Sequence, residues 1–428
     1  MIRRHIYSYR FVDFAIIILI ISLIIAPTTY DVFKILILII ICTSCIKRIL
    51  LKNISIHINW IVFASILAIL LVNIFQAITG IIRNGDYALA DTKIYVVYMF
   101  IFFVLMYVLS NDNYNIKSIN TGLLLGSFLL PLYTILLVIS ITIGGVGDSL
   151  DILKMEYMIA YGDGFLKVYG LNILSYSFTV PYTYVYYRLS SANKSTKTML
   201  LCLFILNAIA LIITLRRGII LSSIIVIIIF EIYESSTIRS MARKIIIPLS
   251  SGILVLSVFV IMNISMNSDT YNKIMFSRRS DSVRIEQTKM LLEGFSNNPI
   301  IGSGYGAHFN SYSRSTQFEM QYLKLLFTGG IMAAAVYLFG YLAIIFSLKR
   351  TLGKVDNKQR QLLYAAFFAQ LALIFNNAIN PFITQFSATF LFFIPFYMLN
   401  NISKCDSGSP HHLRHAPRVS PDYSRDAQ

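Results

Sequence analysis

Long apolar runs follow one another along almost the whole chain, separated by short polar turns. Residues 14–26, 61–74 and 201–215 are examples, and each approaches or reaches the roughly 20 residues a helix needs to cross a bilayer. The pattern predicts spans near 11–27, 32–46, 58–79, 94–110, 119–142, 168–188, 198–214, 218–234, 245–266, 319–347, 361–379 and 382–400. It describes an all-α polytopic membrane protein with about 12 transmembrane helices filling residues 1–404. The sixth span is rich in tyrosine (Tyr176, Tyr182, Tyr184, Tyr186, Tyr187) and carries Pro181, and the last two form a hairpin around Asn380-Pro381. The first run is followed by Pro27-Thr28-Thr29-Tyr30, with no small-x-small cleavage pattern, so it is expected to be retained as a span. Two polar stretches interrupt the pattern, at 143–167 and 267–318. A third, 405–428, contains Ser409-Pro410-His411-His412 with no periodicity and reads as a disordered tail.

Composition agrees with the pattern. Hydrophobic residues make up 57% of the chain and charged residues 13%, about half the charged share of a soluble domain. The net charge of +16 does not call for nucleic acid, because the basic residues cluster in the short connections. Arg3, Arg4 and Arg10 precede the first span. Lys47 and Arg48 follow the second, Arg188 and Lys194 the sixth, Arg239 and Arg243 the eighth, and Lys349 and Arg350 the tenth. All fall on one side of a chain with that number of spans. By the positive-inside bias that side is the cytoplasm, with both termini in it.

The two long polar stretches then face outward, where basic residues are expected to be few. Yet 267–318 carries Lys273, Arg278, Arg279, Arg284, Lys289 and Arg314, and Arg216-Arg217-Gly218 forms an outward turn after the seventh span. Binding an anion outside the cytoplasm would account for these exceptions.

The four cysteines point to no metal or redox site. Cys42 and Cys45 form a C-x-x-C without a second pair, inside an apolar helix, and Cys202 lies in another span. Ionisable residues within spans reduce to Asp13, Lys34 and Glu231 near span ends, which lowers the case for a proton-coupled transporter.

The candidate chemistry therefore lies around the outward basic stretch. Two guanidiniums at a helix–helix turn, Arg216 and Arg217, suit bidentate contact with phosphate, the alternative being that they snorkel to lipid headgroups. Arg284 opens an amphipathic helix with Val283, Met290, Leu291 and Phe295 among polar residues, suited to lying along the membrane–water interface. Arg278, Arg279 and Arg284 would there face a lipid-linked phosphate, or else form a solvated basic face. Pro299-Ile300-Ile301-Gly302-Ser303-Gly304-Tyr305-Gly306 is a turn whose glycines permit positive φ and close backbone approach. It lacks the spacing and preceding strand of a dinucleotide site. Glu319 and His308 are the candidate acid–base groups, Glu319 at the head of a span. Its carboxylate either accepts a proton from an attacking hydroxyl or pairs with Lys324 or an arginine.

In this order of motifs the chain resembles the O-antigen polymerase and ligase superfamily of bacterial inner-membrane proteins. The motifs are Thr214-Leu215-Arg216-Arg217-Gly218, Asp281-Ser282-Val283-Arg284, the Pro-Ile-Ile-Gly-Ser-Gly-Tyr-Gly turn, and a polar entry to a span ending in Gly329-Gly330-Ile331. The resemblance is concentrated between about 210 and 335. Ligases of the superfamily carry a histidine followed by Asn, Ser or Gln shortly before the glycine pair. Here Phe318-Glu319 stands in that place and His308 is followed by Phe309, so the polymerase arm is the better match.

The resemblance implies transfer of a glycan from undecaprenyl pyrophosphate onto another lipid-linked repeat unit, with no metal, nucleotide sugar or other cofactor. Arg216, Arg217 and Arg284 would hold the pyrophosphate, and Glu319 or His308 would act as base. Tyr157, Tyr161 and Tyr169 would meet sugars, and a chain-length regulator is an implied partner. A ligase, or a flippase for the same lipid-linked units, is the alternative.

Overall fold

A computed structural model of the chain describes residues 2–27, 30–52, 58–109, 113–142, 157–162, 165–170, 174–214, 216–235, 278–309, 318–353, 355–378 and 386–407. The described elements are α1 (Ile2–Ile25), α2 (Asp31–Lys52), α3 (Trp60–Asn84) and α4 (Tyr87–Thr92). A π-helical turn (Lys93–Tyr98) joins α4 to α5 (Met99–Leu109), and α6 (Asn113–Thr142) follows. After the hairpin β1 (Tyr157–Gly162) and β2 (Phe165–Gly170) come α7 (Tyr176–Arg188), α8 (Lys194–Ile213) and α9 (Arg217–Glu234). The chain continues through α10 (Arg278–Asn297), α11 (Gln321–Leu352), α12 (Asn357–Asn377) and α13 (Phe386–Ser407).

Among the described residues the protein is helical except for one hairpin, and 5 of its helices are long and apolar enough to cross a membrane. These lie at 60–84, 87–107, 116–136, 194–213 and 321–352, with shorter apolar helices at 11–25 and 386–402. The expected span at 245–266 lies outside the described residues, as do 143–156, 236–277 and the tail from 408.

Local chemistry sets several helix ends. The Asn59 side chain accepts from the Val62 N–H at 3.3 Å, and Asn193 accepts from Thr196 at 3.0 Å. Asp356 accepts from Gln359 at 2.7 Å, so α3, α8 and α12 each begin on a side-chain cap. α3 ends on Gly85, whose φ of 59° lets its N–H close back on the Ile81 carbonyl.

The expected sixth span divides in two. Its first residues belong to β2, paired antiparallel with β1 from Tyr157↔Gly170 to Gly162↔Phe165. The alternation Tyr157, Ile159, Tyr161 has a strand period, and the two residues left between the strands are Asp163-Gly164, a pair that favours a two-residue turn. Among the described residues this hairpin is a local departure from the expected all-α architecture, which the other elements keep.

The helical remainder, α7, has 13 residues, about 20 Å at 1.5 Å per residue, against a hydrocarbon core of about 30 Å. Every residue from Tyr176 to Val185 is buried, between α6, α8, α9 and α12. That position explains the tyrosines, because each hydroxyl must find a partner away from water. Tyr176 meets Thr134 at 2.8 Å, Tyr182 donates to Asn120 at 2.6 Å, and Tyr184 donates to Glu231 at 2.7 Å. Arg188 donates to the same Glu231 through Nε at 2.7 Å.

Elsewhere small residues let helices approach. Gly122 and Gly126, one turn apart on α6, face Ile20 and Ile24 of α1, the small-xxx-small device of membrane helix pairs. Cys45 is buried on α2, while Cys202 is exposed on α8.

Candidate active site

α11 is two helical segments separated by a break. Gly330 has φ 64° and ψ −168°, outside the helical region, so the backbone groups on either side lose their intrahelical partners. The glycine turn supplies the replacements. Ser303 N–H donates to the Phe327 carbonyl at 2.9 Å and Gly304 N–H to Thr328 at 2.8 Å. In return Ile331 N–H donates to Pro299 at 2.8 Å and Met332 N–H to Ile300 at 3.1 Å.

The other side of the turn leans on the end of α3. Tyr305 N–H donates to the Gln76 carbonyl at 3.1 Å, Arg83 reaches the Gly302 carbonyl at 3.2 Å, and Asn84 reaches the Tyr305 carbonyl at 2.8 Å. Gly302, Gly304 and Gly306 all have positive φ, at 71°, 81° and 74°. A Cβ on each would run into the backbone of Thr328, Gly80 and Ala88 respectively. These glycines are therefore a wedge between α3, α4 and α11.

Tyr305 carries the wedge inward. Its hydroxyl donates to Asn73 Oδ1 at 2.8 Å, and the Tyr337 hydroxyl donates to the same oxygen at 2.9 Å. The Asn73 amide is itself held by the Tyr95 carbonyl at 3.2 Å. The Tyr95 and Tyr305 rings stack with centroids 5.3 Å apart, and the Tyr95 hydroxyl donates to Gln321 at 2.9 Å. Burial, with Tyr337 and Tyr95 nearby, holds the Tyr305 phenol well above its ordinary pKa, so it stays a donor.

Above the wedge lies α10. Leu291 and Gly294 of α10 pack under Phe309, Phe318 and Phe327, with the Phe309 and Phe327 rings stacked at 5.0 Å. This apolar cluster brings the start of α10 against the residues entering α11. Arg284 Nε donates to Glu319 Oε2 at 3.1 Å, both side chains somewhat more than a quarter exposed, at 29% and 27%. Buried Gln287, one turn beyond Arg284, accepts the Glu319 backbone N–H at 2.9 Å and so fixes where that residue stands.

The sequence left two partners open for Glu319, and the structure pairs it with an arginine. Lys324 turns elsewhere, to Asp91 Oδ1 at 2.8 Å, and the other Asp91 oxygen accepts the Gly306 N–H at 3.3 Å. Asp91 and Lys324 join Lys34 and Glu231 as buried ionisable residues, while Asp13 is only half-buried. Asp91 was missed because the expected span began at 94, leaving it in a connection.

His308 Nδ1 lies 3.1 Å from the Gly306 carbonyl, and its ring rests on Tyr87 of α4 at 4.4 Å. Arg216 stands at the N-cap position of α9, without a side-chain capping bond, and Arg217 is the first residue of that helix. Arg278 and Arg279 begin α10, and their side chains lie outside the description. The Arg284–Glu319 pair is a contact of the structure. The grouping of the other arginines with it belongs to the proposal below.

A cavity of about 460 Å³ opens beside the first turns of α11. Its wall is mostly apolar, with Leu325, Phe392 and Phe393 prominent, and its polar members include Gln321, Lys324 and Tyr341.

Residues 202–338 match a family model described as O-antigen ligase. The matched segment is about a third of the chain and agrees with the likeness to the O-antigen polymerase and ligase superfamily, and 5 helices among the described residues are long and apolar enough to cross a membrane. No curated protein matches the chain.

Proposed function

With that superfamily as premise, we propose that the chain is an O-antigen polymerase. It transfers an undecaprenyl-pyrophosphate-linked glycan onto another lipid-linked repeat unit at the periplasmic face of the inner membrane. The observation that carries this reading is the Arg284–Glu319 contact at 3.1 Å, inside the matched segment and beside an apolar cavity.

The contact puts a cation and a carboxylate at one point. Both are needed when a sugar hydroxyl attacks an anomeric carbon that is leaving pyrophosphate. In this mechanism the acceptor oxygen forms a bond to the anomeric carbon as the bond from that carbon to the pyrophosphate oxygen breaks. The hydroxyl proton passes to Glu319, acting as general base. Arg284, with Arg216, Arg217, Arg278 and Arg279, receives the negative charge growing on the leaving group. His308 is the second candidate base. An arginine fits this task because its guanidinium presents five donors in a planar fork that matches phosphate oxygens. The cavity beside α11 suits an apolar chain.

A ligase, which joins finished polymer to lipid A–core, is the second reading, favoured by the description of the matching family model. Phe318-Glu319, standing where ligases carry a histidine, favours the polymerase. The lipopolysaccharide of a deletion strain separates the two. A core bearing one repeat unit supports the polymerase, and a core bearing none supports the ligase. An unaltered ladder removes both.

A further inference from the structure

The buried Asp91–Lys324 pair has no role in the chemistry just described, yet its position relates to every part of it. Lys324 lies five residues beyond Glu319 on the first turns of α11, and it lines the cavity. Asp91 lies two residues before the π-helical turn between α4 and α5, a local widening that occurs often at functional sites. Its two oxygens serve two segments: Oδ1 meets the Lys324 ammonium at 2.8 Å, and Oδ2 accepts the Gly306 N–H at 3.3 Å. A single carboxylate therefore ties the glycine turn to the helix that follows Glu319. Both side chains are almost enclosed, at 11% and 8% exposure.

Packing alone does not require such a pair. Replacing a buried ion pair with apolar side chains of similar volume is often neutral or stabilising, so cohesion by itself does not account for charge at this position. The wedge is already anchored to α11 by four backbone hydrogen bonds around the Gly330 break. Two of those bonds end on Phe327 and Thr328, at the far end of the first segment of α11, whereas Glu319 stands two residues before its near end, where Gln287 holds the Glu319 backbone and Tyr95 meets Gln321. Lys324 is on that segment, and Asp91 is on a different helix.

We propose that Asp91 and Lys324 are positioning residues for the transfer reaction, fixing the Glu319 carboxylate against Arg284 by holding the first segment of α11 to α4 and to the glycine turn. The proposal rests on the polymerase reading for the reaction it positions. Displacing a reacting group by about 1 Å can cost about 100-fold in rate without loss of binding. Neutralising either partner should therefore lower kcat while leaving KM for the lipid-linked substrate within a factor of about two.

The test uses the full chain in lipid nanodiscs, with purified lipid-linked repeat units as substrate. The variants are Asp91→Asn, Lys324→Met, the double variant of these two, and the exchanged pair Asp91→Lys with Lys324→Asp. Rates are normalised to folded protein, and amide hydrogen exchange is followed across 302–309 and 318–328. The expected result is a kcat reduced about 10- to 100-fold in the single and double variants, with KM retained. Exchange should be faster in those two segments only, and both effects should be partly reversed in the exchanged pair. Wild-type kcat in Asp91→Asn or Lys324→Met, or unchanged exchange in both segments, would overturn the proposal. If the single variants do not fold, the double variant, which leaves no buried charge uncompensated, decides between the same outcomes. If wild type makes no polymer, the polymerase reading fails, and the exchange data alone decide whether the pair holds the two segments.

Discussion

Arg284 and Glu319 meet at 3.1 Å although 35 residues of chain separate them. What joins them is the folding of that chain into a helix, a turn and the head of a second helix, with Gln287 holding the Glu319 backbone from one turn beyond Arg284. The pair is as exposed as a site for a lipid-linked anion would need.

Removing the cation should abolish polymer formation without removing the protein. Arg284→Ala is expected to lose about 100- to 1,000-fold in rate, the usual effect of deleting a group that stabilises charge in a transition state. Arg284→Lys should recover only part of it, because an ammonium lacks the planar fork. The lipopolysaccharide ladder of complemented strains, compared at equal expression, measures both. A full ladder from Arg284→Ala would move the anion site elsewhere.

Glu319→Gln keeps the shape and a hydrogen bond to Arg284 but cannot take up the hydroxyl proton. If Glu319 is the base, this variant should be as inactive as Glu319→Ala in single-turnover assays. If it merely holds Arg284, Glu319→Gln should retain most of the rate and His308→Ala should be the inactive one.

The glycine wedge should be intolerant of any side chain. Gly302→Ala, Gly304→Ala and Gly306→Ala each combine positive φ, worth about 1–2 kcal/mol, with collision against the backbone of a neighbouring helix. Gly85→Ala is the internal control, with positive φ but open space around its Cβ, so only the conformational cost applies. Thermal unfolding of the purified variants should show the first three well below wild type and Gly85→Ala only slightly lowered.

At the far side of the bundle, Glu231→Ala leaves Arg188 with an uncompensated charge next to a fully buried position. Breaking a buried pair in this way typically costs about 3–5 kcal/mol. Abundance and thermal stability should fall while activity per folded molecule stays near wild type. That outcome distinguishes this scaffold pair from the groups near Glu319.

Tyr305→Phe and Asn73→Leu test the polar hub beneath the wedge. Tyr305→Phe removes one donor while Asn73 Oδ1 keeps the Tyr337 hydroxyl, so about 1 kcal/mol should be lost. Asn73→Leu strands two buried phenols at once and should cost about 2–6 kcal/mol, judged from about 1–3 for each unmet group. Chemical or thermal denaturation in detergent would rank them.

Helix positions were legible in the chain because apolar runs of span length have few other uses. The tyrosines of α7 were visible too, but not their meaning. Only the packing shows that this helix is too short to face lipid and sits among partners for its hydroxyls. The β1–β2 hairpin was within reach of sequence reasoning, through the strand-period alternation and Asp163-Gly164, yet the acidic residues Asp148, Asp151, Glu156 and Asp163 made 143–167 read as a polar loop, with a span beginning at 168. The Arg284–Glu319 contact could be listed as one of two options but not chosen, since Lys324 is close in sequence and an arginine is not. Asp91 left no local signal. A lone aspartate near the start of an apolar run looks like the end of a connection until Lys324 and Gly306 are brought to it from more than 200 residues away.

The break at Gly330 also bears on how this protein is assembled. An interrupted helix entering lipid alone would carry bare carbonyls and amides, each costing several kcal/mol in hydrocarbon. α11 therefore cannot reach its final form until the preceding turn has docked, and a stretch that looks like a surface connection is a structural part of the span. An epitope tag inserted in the exposed connection between α7 and α8, at Ser191-Ala192, should be tolerated. The same tag inserted between Pro299 and Gly306 should leave the nascent chain to quality-control proteolysis.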